Sequence, residues 1–322
     1  MIRPFGLRDL LLAGELRKKE GVLLDAERAL TRSYSPLRAA LTSYLPPPRT
    51  SGVYTCILDA AKGLRISGFA QIQWRPDAPS AKVIYLAPSL TETDEAPSIW
   101  RRLLAYLCVK AGERGIQCLL ASLPEEGPEA EIFQQVGFSP YAREEILRLE
   151  RIPSPQRPSE MTLRRQRAAD GWNLRRLCLA ATPTAVQRAE GNSGDWLGHP
   201  GGKGYVLEED GELVGHLCIT EGERGYWLRV LLHPRAHERA MELVEQALAL
   251  LADLPPRPVY CGLRSYQGWL SELLQEKGFR PFAHRLAVAK RIAVYAREPA
   301  TRPIPALQRK AEALTTMRFG RK

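Results

Sequence analysis

The chain has 322 residues, 44% hydrophobic and 25% charged, which is ordinary globular composition and too long for one typical core. It contains no run of about 18 apolar residues and no basic, apolar, small-residue leader, so a soluble cytoplasmic protein with no membrane partner is expected. The net charge of +10 is uneven: ten Lys or Arg between Arg285 and Lys322 face only Glu298 and Glu312, so the chain has a basic end and not a basic body.

The elements follow in chain order. Ile2 to Phe5 reads as a short strand, Leu7 to Lys19 as an amphipathic helix and Pro36 to Leu45 as another. Val53 to Asp59 and Ile66 to Trp74 alternate as strands around a Lys62-Gly63 turn, and Lys82 to Ala87 is a third strand. Ile99 to Gly115 carries apolar residues at helical spacing and ends on glycine. Gln117 to Leu123 is an apolar strand, Glu129 to Val136 a short helix stopped by Gly137, and Phe138 to about Leu149 a last strand.

Ile152 to Glu160 holds three prolines, which neither continue a helix nor join a sheet interior, so it reads as a stiff connector. Beyond it the order repeats. Met161 to Arg167 is a strand and Trp172 to Arg188 a helix. The Asp210-Gly211 turn makes a hairpin of Lys203 to Asp210 and Glu212 to Thr220. Gly225 to Pro234 is a strand, His237 to Ala252 a helix, and Pro258 to Ser265 a strand. Trp269 to Lys277 is a helix stopped by Gly278, and Phe279 opens the final strand.

One phrase is said twice. Glu131 to Ala142 reads EIFQQVGFSPYA and Glu272 to Ala283 reads ELLQEKGFRPFA, with Glu, Gln, Gly, Phe, Pro and Ala in register. Gly137 and Gly278 suit a left-handed helix stop, with Phe138 and Phe279 as core residues. The phrase therefore speaks for fold and carries no chemistry of its own. Cys56, Cys108, Cys118, Cys178, Cys218 and Cys261 form no CxxC pair, sit mostly in apolar stretches and read as free thiols. Only His233 and His237 lie close together, so no metal site is expected.

Element order, the two Gly-Phe motifs, and the apolar strands ending in LAP (Leu86 to Pro88) and LLHP (Leu231 to Pro234) resemble a tandem of GCN5-related N-acetyltransferase (GNAT) folds over nearly all of residues 1 to 292. The resemblance implies an α/β (α+β) protein of two tandem GNAT-like domains, each a mixed central sheet flanked by helices. The domains are expected at 1–152 and 161–296, joined by the Pro-rich linker 153–160 and followed by a basic tail, 297–322, with a short helix from Ala306 to Met317. It also implies acyl transfer from acetyl-CoA, or another acyl-CoA, to a small-molecule or protein amine.

That chemistry needs backbone donors for a diphosphate at a helix start, a proton for the departing thiolate and a donor for the oxyanion. The family's diphosphate loop has the pattern Gln/Arg-x-x-Gly-x-Gly/Ala. The first half instead has Ser89 to Ser98, without glycine and with Glu92, Asp94 and Glu95, each repelling a phosphate by on the order of 1 kcal/mol or more. The first domain is therefore expected to be degenerate. The second half keeps Arg235 and Ala240 but has Glu238 where glycine is expected. Cofactor contacts are assigned there to Leu231, Leu232, His233, Arg235, His237, Arg239 and Ala240. The family's thiolate-protonating tyrosine falls on Phe133 and Leu274, and a central-strand glutamate base is absent. His233 and Tyr266 are the catalytic candidates that remain, although Tyr266 also reads as a packing residue.

The basic tail reads as a helix packing on the body, with nucleic-acid contact as the weaker alternative. A rival reading of the whole chain is a non-catalytic tandem that binds a ligand, protein or RNA.

Overall fold

The computed structural model describes residues 1–6, 9, 20–42, 52–60, 66–74, 78–153, 163–191 and 201–293. The helix expected at 7–19, the turn at 62–63, the connector at 154–160 and the tail from 294 lie outside the described residues.

In the first half, β1 (Ile2–Pro4), β2 (Val22–Leu23), α1 (Ala26–Thr31) and α2 (Pro36–Thr42) precede β3 (Gly52–Asp59), β4 (Ile66–Trp74) and β5 (Ser80–Ala87). Then come α3 (Ala96–Glu113), β6 (Cys118–Pro124), α4 (Glu129–Gln135) and β7 (Ser139–Leu149). The second half runs β8 (Arg164–Arg165), α5 (Gly171–Ala181), α6 (Thr184–Glu190), β9 (Gly202–Glu209), β10 (Glu212–Glu221) and β11 (Tyr226–Leu232). It ends with α7 (Ala240–Ala252), β12 (Val259–Arg264), α8 (Trp269–Glu276) and β13 (Arg280–Arg291).

The elements differ from expectation in several places. The helix drawn from Trp172 to Arg188 is two, α5 and α6, because Pro183 supplies no N–H and Thr182 before it is extended. The helix drawn from His237 begins at Ala240, after a 3-10 segment over Pro234–Arg239 with non-helical backbone at Ala236. The segment from Glu20 to Thr31, left unassigned in the sequence reading, contains β2 and α1; Asp25 caps α1 by accepting from the Arg28 amide at 3.0 Å.

Each half contributes a mixed sheet flanked by helices, and the two are joined edge to edge into one. The order is β1-β3-β4-β5-β6-β13-β7-β12-β11-β10-β9-β8, with β2 off this path on β5. Read from either end it is the same fold: four antiparallel strands, a parallel neighbour, then a closing strand. The closing strands are exchanged. β13, from the second half, pairs with β6, and β7, from the first, pairs with β12. β7 and β13 then pair with each other along most of their length. This continuity was not expected from the sequence, which places each closing strand in its own half.

Both faces of the sheet carry apolar clusters, the two largest lying under the long helices. α3 lays Ile99, Trp100, Leu103, Leu104, Leu107 and Ala111 along one stripe, which packs with Phe133 and Phe138 over the first half. α7 and α8 bury Leu243, Val244, Leu251 and Leu274 with Phe279 over the second. Val288 of β13 sits in the first core and Leu147 and Leu149 of β7 in the second, so the exchange extends into both cores. Gly137 (φ 91°) and Gly278 (φ 90°) end α4 and α8 in the left-handed region. Their amides bond to Gln134 and Gln275 carbonyls, and Phe138 and Phe279, each 2% exposed, turn straight into the cores. Burying each ring stabilises by about 1.5–3 kcal/mol. Among the described residues no helix is long and apolar enough to cross a membrane.

Candidate functional site

Each half has one parallel strand pair, and each pair opens. β5 and β6 are in register only at Ser80↔Cys118, Ala81↔Leu119 and Lys82↔Leu120. β11 and β12 are in register only from Tyr226↔Val259 to Leu228↔Cys261. Beyond those pairs the strands diverge, leaving a notch beside β5 and another beside β11.

The first notch is filled by the chain itself. β4 occupies one edge of Tyr85 and Leu86, so β2, which pairs with the same two residues, lies on the notch side. The Leu24 amide continues the pairing to the Ile84 carbonyl at 2.8 Å, and the Ser89 amide bonds to the Glu20 carbonyl at 2.7 Å. Behind it the indole N–H of Trp100, fully buried, donates to the Pro88 carbonyl at 2.7 Å. The loop that follows presents Glu92, Asp94 and Glu95 to solvent before α3.

The second notch is open. Gln267 reaches into it, its Nε2 donating to the Val230 carbonyl at 2.9 Å. Around it lies a cavity of about 320 Å³ walled by Thr182 and Pro183 at the break between α5 and α6, by Leu231 and Leu232, and by Pro234, His237, Tyr266 and Trp269. His237 stacks on Trp269, with ring centroids 4.1 Å apart.

The residues singled out from the sequence divide accordingly. Leu231, Leu232, His237 and Tyr266 meet in this cavity. His233, Arg235, Arg239 and Ala240 do not border it. His233 is half-buried, its Nδ1 accepts from the Arg235 amide at 3.2 Å, and burial, then Arg235, lowers its pKa. Arg235 pairs with Glu212 at 2.6 Å; Arg239 pairs with Glu209 at 2.8 Å and Glu242 at 3.0 Å. Ala240 is buried in the second core. Burial raises the Tyr266 phenol to about 12, so it keeps its proton at neutral pH. His216 is 1% exposed on β10 with Nε2 3.0 Å from Gln166 Oε1.

Tyr266 also borders a second cavity, which sequence reasoning missed. It has a volume of about 150 Å³ and lies over the middle of the sheet, walled by both halves and by both exchanged strands. Its lining is ionic. Lys82 Nζ lies 3.4 Å from Asp25, and Arg229 is bonded to Glu27. Arg264 lies 3.0 Å from Glu190 and 3.8 Å from Glu144, and the Tyr141 hydroxyl donates to Glu190 at 2.7 Å. Burial works against the charge of Arg264, but Glu144 and Glu190 outweigh it and raise its pKa; burial and Glu190 raise that of Tyr141. Each of these residues, taken alone, reads as a solvated surface charge. Only the pairing of β7 with β12 brings Glu144 to Arg264.

No protein-family model matches the chain, and no curated protein matches it in sequence. Solved structures do. A tandem GNAT protein from the clavulanic acid biosynthesis pathway, solved without acetyl-CoA, aligns with a TM-score of 0.55 at 16% identity, covering 91% of this chain and 98% of that one. A GCN5-related N-acetyltransferase from Sphaerobacter thermophilus aligns at 0.52 and 13% identity, covering 91% and 95%. A Drosophila protein aligns at 0.55 and 13% identity, covering 90% and 98%. With two halves of like strand order, each opening at one parallel pair, the chain has the tandem GCN5-related N-acetyltransferase fold.

Proposed function

We propose that the chain is an acyl-CoA-dependent N-acyltransferase, built of units at 1–152 and 161–296, that holds its donor in the notch of the second half. The observation that carries this reading is Tyr266, which borders both the open notch and the ionic central cavity. A phenol placed between a donor on one side and an acceptor on the other can protonate a leaving thiolate, and a pKa raised by burial keeps it protonated for that task.

The residues of the notch fit an acyl-pantetheine arm. Leu231, Leu232, Pro183 and Trp269 supply apolar walls, and the backbone of β11 beyond Val230, whose carbonyl Gln267 holds, offers groups to an amide chain. When bound, the coenzyme supplies the thioester whose acyl carbon the acceptor nitrogen attacks. Arg235 and Arg239 would meet the phosphates by exchanging their carboxylate partners, a charge-assisted contact of the same kind. The first half is assigned no donor, because β2 occupies the equivalent edge; it walls the acceptor side instead.

Calorimetry with acetyl-CoA on the full chain tests the reading. Binding is expected, weakened at least tenfold when Arg235 and Arg239 are both changed to alanine. Absence of heat with the unaltered chain favours a non-catalytic tandem that binds a ligand, protein or RNA.

A further inference from the structure

We propose that Glu190 is the base of the reaction: it lines the central cavity beside Tyr266 and takes the proton that the acceptor nitrogen sheds as it bonds to the acyl carbon. This assignment rests on the acyl-transfer reading. It adds the group that the central strands lack, since neither β5 nor β11 carries a glutamate.

Glu190 is the last residue of α6, where Gly191, with φ 76°, ends the helix by donating its amide to the Gln187 carbonyl at 2.9 Å. The Glu190 carbonyl accepts from Ser80 Oγ of β5 at 3.3 Å, so this helix end is tied to the first half. The helix starts just after Pro183, a wall of the open notch. One seven-residue helix thus runs from the donor notch to the central cavity, and Tyr266 borders both.

The carboxylate is aimed and still has room to act. Its Oε1 accepts from the Tyr141 hydroxyl at 2.7 Å and from Arg264 Nη2 at 3.0 Å, which fix its direction. A carboxylate offers about four acceptor sites, and among the described residues its side chain accepts at Oε1 alone. Oε2 is left for an acceptor nitrogen.

The other carboxylates of the lining are placed for other partners. Glu144 faces two guanidiniums, Arg264 at 3.8 Å and, across the β7–β13 ladder, the mostly buried Arg285, which also feels Asp25. Asp25 and Glu27 belong to the first half and are bonded to Lys82 and Arg229. Glu190 is the carboxylate that acts most strongly on Tyr266: after burial, its charge does most to raise the phenol to about 12. A base and a proton-bearing phenol side by side can serve the two ends of one reaction.

The step balances as follows. The free amine attacks the acyl carbon with its lone pair, the C–N bond forms, and Glu190 takes one proton from the nitrogen. Tyr266 gives its proton to sulfur as the C–S bond breaks. The proton held on Glu190 then returns to the phenolate, leaving an amide, a free thiol and the starting site.

The test uses the full chain, acetyl-CoA as donor, and n-propylamine and hydroxylamine as acceptor probes. At neutral pH the first is an ammonium and the second largely a free base, so the first depends more on a protein base. Glu190→Gln keeps an oxygen for Tyr141 and Arg264 but accepts no proton. It should lower kcat/KM for n-propylamine by about 10²–10⁴ and for hydroxylamine by less than about tenfold. Equal losses, or none, overturn the proposal, because a group that only shapes the cavity affects both probes alike. Glu190→Asp keeps the charge and guards against a variant that does not fold. Its carboxylate is drawn back by one methylene, so n-propylamine should still lose about tenfold more than hydroxylamine, and equal losses again overturn the proposal. With no donor present, saturation-transfer NMR should show n-propylamine bound by the parent and about tenfold more weakly by Glu190→Gln; unchanged binding by the folded variant removes Glu190 from the acceptor. A parent that binds acetyl-CoA but acetylates neither probe overturns the role of Glu190 and leaves the donor notch standing. No heat with acetyl-CoA overturns the acyl-transfer reading itself, and the base falls with it.

Discussion

Arg229 on β11 and Glu27 in α1 hold the two halves together through an ion pair whose side chains are only 12% and 8% exposed. Replacing Arg229 by methionine removes the cation, keeps much of the volume and takes from Glu27 the guanidinium bonded to it. Removing one partner of a buried pair costs about 3–5 kcal/mol, since the remaining charge has lost its counter-charge. The exposed pair Lys277–Glu245, at 2.6 Å but with side chains 29% and 43% exposed, is the control. Lys277→Met should cost about 0–1 kcal/mol. Replacing both buried partners, Glu27→Gln with Arg229→Met, should recover most of the loss, because neither buried charge of the pair remains. Urea unfolding followed by tryptophan fluorescence measures the three variants against the parent, with Trp227 two residues from Arg229. If Arg229→Met costs less than about 1 kcal/mol, or if the double variant is as unstable as the single one, the pair does not clamp the halves as argued.

Tyr266→Phe should lower kcat by about 10²–10⁴ with little change in donor KM, and the unaltered enzyme should show no alkaline loss from this group below about pH 10, since its pKa is raised to about 12; a kcat within threefold of the parent would remove the phenol from the mechanism. Burial lowers His216 to about 4 from 6.5, so the unfolded chain takes up a proton first as the pH falls. Stability is therefore full above about pH 6.5 and declines towards pH 4, by on the order of 3 kcal/mol, and a His216→Gln variant should flatten that slope. Trp100→Phe deprives the Pro88 carbonyl of its donor and should cost about 1–3 kcal/mol in urea unfolding while leaving acetyl-CoA affinity unchanged, because the first notch holds no donor. At Gly222 an added Cβ would lie 2.2 Å from the Thr31 carbonyl oxygen, so Gly222→Ala should destabilise by about 1–3 kcal/mol as α1 and the β10–β11 turn are forced apart.

Much of the fold was readable because its signals are local. Alternation marked β3, β4 and β10, the Asp210-Gly211 turn marked the hairpin, and the two Gly-Phe phrases marked the ends of α4 and α8. The break at Thr182-Pro183 was readable too, and was passed over because the apolar spacing continues across it. The two residues of β2 carry no periodicity; only their partner on β5 makes them a strand. The exchange of β7 and β13 leaves no local trace either, since both orders satisfy the same alternation. With it went the central cavity, where Glu144 meets Arg264 only because β7 lies beside β12. The acidic loop at the first corner was visible in the sequence, but the strand β2 that fills the notch beside it was not.

The crossing of the closing strands also sets a timetable for synthesis. The edge of β6 emerges from the ribosome with Pro124, yet its neighbour β13 ends at Arg291. At roughly 5–20 residues per second that edge waits about ten to thirty seconds for its proper cover. During the wait β7 is the nearest substitute, so nascent chains must pass through, or be kept from, a locally closed first unit before the mature pairing forms. Slowing translation after Leu149 should lengthen the life of that transient, and a protease that cuts it but not the finished protein would make it visible.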